Sequence, residues 1–117
     1  MVKLKPLLPT LKEKKRYLAF EILSKAKIKT FPEASKAIWQ SVLSFLGTKH
    51  AAEMGIQILP ETYNATKQRG LIRVGHKHVD ELKSGLALVQ NIEQQQIIIR
   101  TVGVSGILAK AQQKYIS

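Results

Sequence analysis

Hydrophobic and polar positions alternate in the segment that follows the first sixteen residues. Leu18, Phe20 and Ile22 occupy every second position there, which is the period of a strand with one buried face. The pattern predicts a first β-strand over residues 17–23.

Apolar residues then recur every three or four positions, the period of an amphipathic helix. Thr30 and Glu33 have the spacing of a capping box, and Pro32 is tolerated in a first helical turn. Gly47 offers a C-terminal stop, and residues 48–54 are expected to add another helical turn or two. The apolar stripe of the predicted helix consists of Ala34, Ile38, Val42, Phe45 and Leu46.

Two short apolar runs come next, Ile56 with Ile58 and then residues 71–74. The polar, glycine-containing stretch over 60–70 between them is typical of a hairpin connection. Two antiparallel strands are therefore expected after the first helix.

A second helical pattern follows, with Asp80 and Glu81 in the first turn, where the helix dipole favours acidic side chains. Gly85 is expected to weaken this helix, because glycine has a low helix propensity. Its apolar positions are Val79, Leu82, Leu86 and Val89.

The C-terminal segment begins with β-branched residues over 97–102, which predict a buried fourth strand. The turn 103–106 is expected to end this strand, with Ser105 as the N-cap of a last helix over 107–115. The glutamines at 94–96 are placed in a turn.

The predicted order is β, α, β, β, α, β and a last α. It is the split ferredoxin-like arrangement, shared by RNA-recognition-motif proteins, with an added C-terminal helix. The fold class is therefore α+β with one antiparallel sheet. Residues 1–117 are expected to form a single domain in which 1–15, interrupted by Pro6 and Pro9, is a basic extended N-terminal arm.

Charge changes the picture most, because 19 Lys and Arg against 8 Asp and Glu give a net charge of +11. A polyanion such as nucleic acid is the natural partner of such a chain. The first sixteen residues hold six basic side chains against Glu13 alone. The remaining body is also basic, which a solubilising tail does not explain, through Lys25, Lys27, Lys29, Lys67, Arg69, Arg73, Arg100, Lys110 and Lys114.

Several classes of protein are excluded or disfavoured. The absence of cysteine excludes disulfides, thiolate metal sites and cysteine nucleophiles. Uninterrupted apolar runs such as 97–99 are far shorter than the roughly 20 residues of a membrane-spanning helix. The charged run 12–16 stands where a signal peptide would need its apolar segment, so a cytoplasmic protein is expected.

The polar motifs do not assemble a catalytic site. His76 and His78 are two positions apart at a helix start, which points them to different sides, and no third ligand is evident. Asp80 and Glu81 are neighbours that do not face each other on a helix. We therefore assign no catalytic residue and no metal ligand.

The third strand lacks the aromatic residues with which RNA-recognition motifs stack on bases. Arg69 and Gly70 match the start of that motif, but Leu71 and Arg73 take the positions of the aromatics. Contacts through phosphates and RNA shape are therefore expected.

Five blocks of sequence, in order and spread over nearly the whole chain, resemble the Pop-five family, which includes protein component 2 of archaeal ribonuclease P. They are Leu8-Pro9-Thr10-Leu11, Lys14-Lys15-Arg16-Tyr17-Leu18-Ala19-Phe20-Glu21-Ile22, Ala37-Ile38-Trp39, Gly70-Leu71-Ile72-Arg73 and Ile98-Ile99-Arg100-Thr101-Val102-Gly103-Val104-Ser105-Gly106.

The resemblance implies a non-catalytic subunit of the endoribonuclease that removes the 5′ leader of precursor tRNA. In that family the RNA performs the chemistry with Mg²⁺ bound to the RNA, so no cofactor is expected on this chain. The implied partners are ribonuclease P RNA, precursor tRNA indirectly, and a TIM-barrel-like protein subunit, component 3, in a heterotetramer.

The resemblance also suggests which side chains contact phosphates. Ser105 is included because exposed amides of the 103–106 turn could hold a phosphate, and Lys110 because the family usually has a strongly basic C-terminal helix. Here that helix offers only Lys110 and Lys114. The expected RNA-binding residues are Lys12, Lys14, Lys15, Arg16, Arg73, Arg100, Ser105 and Lys110.

Two other classes stay open. A ribosomal or general RNA-binding protein would show the same charge and fold. A small enzyme such as an acylphosphatase would need an anion-cradling loop after the first strand, but residues 24–30 supply lysines without its glycines.

Overall fold

The structure, a computed structural model, describes residues 14–28, 31–92 and 94–117. Lys12, the Thr30 cap and most of the predicted arm lie outside these ranges. Within them, no helix has the length and apolar character needed to cross a membrane. The strands are β1 (Lys15–Leu23), β2 (Gln57–Asn64), β3 (Arg69–Gly75), β4 (Asn91–Ile92), β5 (Gln95–Gln96) and β6 (Ile98–Ser105). The helices are α1 (Phe31–Leu46), α2 (Thr48–Glu53), α3 (Val79–Ala87) after a 3₁₀ turn at His76–His78, and α4 (Leu108–Ala111), which continues as a π-helical stretch over Gln112–Ile116.

Four strands form one antiparallel sheet in the order β2-β3-β1-β6, and β4 pairs with β5 in a small ribbon. In this sheet β1 lies between β3 and β6, as in the ferredoxin-like topology. The predicted α+β class is confirmed.

The two faces of the sheet are covered by different helices. Leu18, Phe20 and Ile22 point to one face and are at most 2% exposed, within a core that includes residues of α1 and α3. Ala19 and Leu71 point to the other face and pack with Ala111 of α4. The alternation seen in the sequence therefore separates two cores rather than a core and solvent.

The last strand is longer than predicted, because β6 continues through Gly103 to Ser105. Its pairing with β1 shifts register at this point, with Ala19 opposite Gly103 and Phe20 opposite Thr101, which is a β-bulge. The expectation that the 103–106 turn ends the strand was therefore wrong. Ser105 is also not the helix N-cap, since its hydroxyl accepts a hydrogen bond from the Ile107 amide at 3.2 Å in a local turn before α4.

The connection between β2 and β3 is shorter than the predicted 60–70 stretch. The two strands reach Asn64 and Arg69, where they pair. Asn64 Oδ1 accepts hydrogen bonds from the amides of Thr66 and Lys67, a local side-chain contact that closes tight turns.

Two small features have structural roles that the sequence did not reveal. The expectation that the glutamines at 94–96 lie in a turn holds for Gln94 and was wrong for Gln95 and Gln96, which form β5. The Gln95 side chain accepts a hydrogen bond from the Ala26 amide and donates one to the Ala26 carbonyl. Gly85 is buried where α3 approaches α1, and a Cβ there would lie 3.4 Å from Val42 Cγ2. Gly85 therefore has a low helix propensity but allows α3 to pack closely against α1.

Candidate nucleic-acid interface

Four predicted basic residues lie at one end of the sheet, where β1 begins and β3 ends. Strand pairing places Lys15 opposite Gly75, and Tyr17 opposite Arg73. We call Lys14, Lys15, Arg16 and Arg73 the basic rim.

Backbone contacts fix the start of this rim. The His76 amide donates to the Lys14 carbonyl at 2.9 Å, which anchors the residue before β1. Arg16 Nη1 donates to the Lys15 carbonyl at 3.1 Å. The same nitrogen lies 3.6 Å from the position that a Cβ would take on Gly106. The turn after β6 therefore borders the rim.

Arg73 is held over the sheet face by Gln57, whose side-chain carbonyl accepts a hydrogen bond from Arg73 Nη2. Arg73 Nε is buried and has no hydrogen-bond partner among the residues that the structure describes. An unsatisfied buried donor is uncommon in proteins. Arg73 Nε therefore keeps a hydrogen-bond donor that no described group uses.

Arg100 is separated from the basic rim. It lies opposite Glu21 of β1, four residues or about 13 Å along the strand from Tyr17. Its Nε donates to Glu21 Oε1 at 2.6 Å, and Arg69 Nε lies 3.4 Å from Glu21 Oε2. Burial by itself raises the pKa of the Glu21 carboxyl, but the hydrogen bonds and charges of Arg100 and Arg69 outweigh burial, so the pKa is lowered.

The C-terminal segment, which is α4 with its π-helical continuation, crosses the sheet face between Arg73 and Arg100. It starts beside β6 and ends against the β2–β3 hairpin, where Arg69 Nη1 donates to the Tyr115 carbonyl at 3.1 Å. Asn64 Nδ2 donates to the Ile116 carbonyl at 2.8 Å, and Lys67 Nζ bonds the Ser117 carbonyl. These donors satisfy carbonyls at a helix end. The surface on which RNA-recognition motifs stack bases is thus occupied by the chain itself.

The remaining predicted residues are dispersed. Lys110 is exposed on α4, and Ser105 ends β6 opposite Tyr17. The structure therefore brings together the basic rim with Ser105 nearby, and leaves Arg100 at the opposite corner of the same face.

A polar cluster on the helical side was missed by the sequence analysis. His78 Nδ1 lies 2.8 Å from Glu81 Oε1, and His50 Nε2 contacts the other oxygen of the same carboxylate. The hydrogen bond with His78, which is the larger cause, and the hydrogen bond with His50 both lower the pKa of the Glu81 carboxyl. The hydrogen bond to Glu81 raises the pKa of the His50 imidazole. The sequence analysis found no further ligand for the pair His76 and His78, and this was wrong for His78, which meets His50 and Glu81. His76 points elsewhere, as expected, and contacts the Lys14 carbonyl. The spacing of three between His78 and Glu81 was the one local sign of the cluster in the sequence, because His50 is distant along the chain.

Sequence comparisons give one consistent family. The model described as the Rpp14/Pop5 family matches residues 16–116. Ribonuclease P protein component 2 of Thermococcus gammatolerans is 37% identical over 93% of this chain and 88% of its own length. The same component of Pyrococcus abyssi is 37% identical over 99% of this chain and 96% of its length. That of Methanosarcina barkeri is 31% identical over 97% and 80%.

A chain in the cryo-EM structure of yeast ribonuclease MRP has a similar fold. The TM-score is 0.50 at 13% sequence identity, over 80% of this chain and 75% of that chain. At this identity the similarity concerns the fold alone.

Proposed function

The chain belongs to the Rpp14/Pop5 family, and we propose that it is a protein subunit of ribonuclease P in a cytoplasmic ribonucleoprotein. The observation that carries the proposal is the match to relatives named as component 2 along almost the whole chain. In this role the subunit supports the catalytic RNA in removing the 5′ leader of precursor tRNA. The chemistry belongs to the RNA and its Mg²⁺, and this chain supplies no catalytic group.

The basic rim is the proposed main contact to ribonuclease P RNA. A net charge of +11 favours a polyanion, and the rim concentrates four cations where two strands and the turn at Gly106 meet. Lys12 would extend this contact along the chain. Arginine can hold a phosphate through two parallel hydrogen bonds, which favours Arg16 and Arg73 for fixed contacts.

Phosphates and RNA shape, rather than unstacked bases, are the proposed targets. The sheet face is covered by α4, with Ala111 fully buried against Ala19 and Leu71. Arg100 is 57% exposed beyond its contact with Glu21. It would therefore reach RNA on the other side of α4 from Arg73, and Ser105 and Lys110 complete the proposed set.

A protein partner would bind an apolar groove beside edge strand β2. The groove is lined by Phe31, Trp39, Ile58 and Pro60, among others, and Trp39 is 37% exposed. Exposed aromatic anchors are enriched in interfaces. We propose that the TIM-barrel-like component 3 binds here in a heterotetramer. Trp39→Ala should weaken that complex at least about tenfold, whereas Gln40→Ala, a change on the same helix, should not.

The decisive experiment is cleavage of precursor tRNA by ribonuclease P RNA at limiting Mg²⁺, with component 3 present. Adding this protein should raise the cleavage rate, and the protein without RNA should cleave nothing. The triple variant K14A/K15A/R16A should lose most of the stimulation. The matched control K25A/K49A/K83A removes the same charge from exposed lysines outside both the basic rim and the proposed groove and should keep it.

Two outcomes would contradict the proposal in different ways. If the wild-type protein binds RNA broadly but leaves cleavage unchanged, a general RNA-binding role replaces the ribonuclease P assignment. If both triple variants lose stimulation equally, overall charge rather than the basic rim governs RNA binding.

A further inference from the structure

His50, His78 and Glu81 converge on one point at the junction of α2 and α3. We propose that these three side chains bind a single divalent transition-metal ion of the zinc class. Two imidazole nitrogens and one carboxylate oxygen form a ligand set that is well suited to Zn²⁺. The proposal uses side chains other than those of the basic rim and does not depend on the RNA-binding role.

The spacing of the candidate ligand atoms fits one ion. One ligand atom from each residue lies within 4.8 Å of those of the other two. Two ligands of a tetrahedral Zn²⁺ at 2.0–2.1 Å are separated by about 3.3 Å. His50 and Glu81 are each 39% exposed, so small side-chain rotations can close the remaining distance without disturbing the core.

A fourth residue, Glu53, supports the orientation of His50. His50 Nε2 faces Glu81, while His50 Nδ1 on the other side of the ring lies 3.7 Å from Glu53 Oε1. Histidines that bind metals usually direct the second ring nitrogen to a carboxylate or carbonyl, which fixes the tautomer and the ring orientation. Glu53 is placed for this role.

The backbones that carry the ligands are fixed to each other. Ala51 and Met54, which flank His50 on α2 and just beyond it, are buried in the core. The Gly75 amide donates to the Met54 carbonyl at 2.8 Å, which ties the end of α2 to the strand that leads into His78. Sites on rigid elements of this kind are preorganised for binding.

The bound ion would tie α2 to the start of α3. Three protein ligands leave one coordination position for water or another small ligand. On binding, Zn²⁺ takes the place of the proton between each imidazole and Glu81. A neutral imidazole then carries its proton on the other ring nitrogen, whereas an imidazolium releases one proton to solvent. Since the elements already pack together, the ion adds stability to a formed site.

The test is a titration of the full chain, without a polyhistidine tag, with ZnCl₂ by calorimetry. The variants are His78→Ala, Glu81→Gln and Glu53→Gln, and the matched control is His76→Ala. His76 is two residues away but contacts the Lys14 carbonyl instead. We expect one equivalent of Zn²⁺ to bind the wild type and His76→Ala with similar affinity. Affinity should fall at least about tenfold in His78→Ala and Glu81→Gln, and measurably in Glu53→Gln.

A second readout separates binding from misfolding. Zn²⁺ should raise the Tm of the wild type and of His76→Ala, and should leave that of Glu81→Gln nearly unchanged. Co²⁺ should give the visible absorption of a tetrahedral complex in the same two proteins. The proposal is overturned if the wild type takes up no Zn²⁺ in a saturable way, or if all variants bind it equally.

Discussion

The ring of Tyr115 lies directly on the backbone of Gly103, so that a side chain at Gly103 would overlap the ring. Tyr115 belongs to the π-helical end of the chain, and Gly103 pairs with Ala19 at the β-bulge. This contact fixes how closely the C-terminal segment approaches the sheet.

Gly103→Ala should therefore destabilise the protein. The added methyl group must displace Tyr115 or distort β6, at a cost of about 1–3 kcal/mol. Urea unfolding monitored by circular dichroism measures this cost. Gly106→Ala is the matched control, because its Cβ would lie 3.6 Å from Arg16 Nη1, an ordinary contact. Equal stability of the two variants would contradict the proposed overlap.

Gln68→Ala should destabilise the protein by roughly 2–3 kcal/mol, because it leaves buried backbone groups without partners. Gln68 is only 7% exposed. Its side chain donates to the Ile22 carbonyl at 2.8 Å and accepts from the Ile28 amide. Gln94 is the control, since it shares the positive φ but is exposed. Thermal unfolding of Gln94→Ala should show a smaller loss, and similar losses would assign the effect to backbone strain.

Glu21→Gln should lower stability at neutral pH by about 1 kcal/mol. The pKa of Glu21 is lowered in the folded state, so the carboxylate contributes stability above its ordinary pKa of about 4.5. That contribution is lost as the pH falls through the folded-state value. The difference between the wild type and Glu21→Gln should therefore shrink as the pH falls, as measured by urea unfolding from pH 7 to pH 3. A difference of the same size at both pH values would mean that charge is not its cause.

The salt dependence of RNA affinity should report the basic rim. If Lys14, Lys15 and Arg16 each neutralise one phosphate, K14A/K15A/R16A lowers the slope of log affinity against log salt by about 2 to 3. This slope is measured by filter binding at salt concentrations from about 50 to about 300 mM. If the variant binds RNA more weakly but the slope is unchanged, the loss of affinity comes from impaired folding or from altered recognition of RNA shape, and not from lost phosphate contacts.

Local patterns predicted most elements and part of the site. The period of Leu18, Phe20 and Ile22 identified β1, and the run from Lys14 to Arg16 identified the first three rim residues. Positive φ at Gly47 agrees with its role in ending α1. Each of these depends on residues close in sequence, where periodicity and turn chemistry are informative.

Other features depended on register and could not be predicted. The bulge in β6 follows from pairing with β1 and not from the glycines of 103–106, which suggested a strand end. Arg73 joins the rim, while Arg100 does not, because their positions across the sheet differ. A one-residue shift of strand register would turn either side chain to the other face of the sheet.

By itself, the sequence determined the order of the main helices and the four long strands, the basic character of the protein and its resemblance to a family, because these follow from local periodicity, composition and motifs. Only the tertiary structure decided that α4 covers the sheet face, that Arg100 is paired with Glu21, and that His50 meets His78 and Glu81. These contacts join residues far apart in the chain. Their formation depends on how whole elements pack, which no short stretch of sequence encodes.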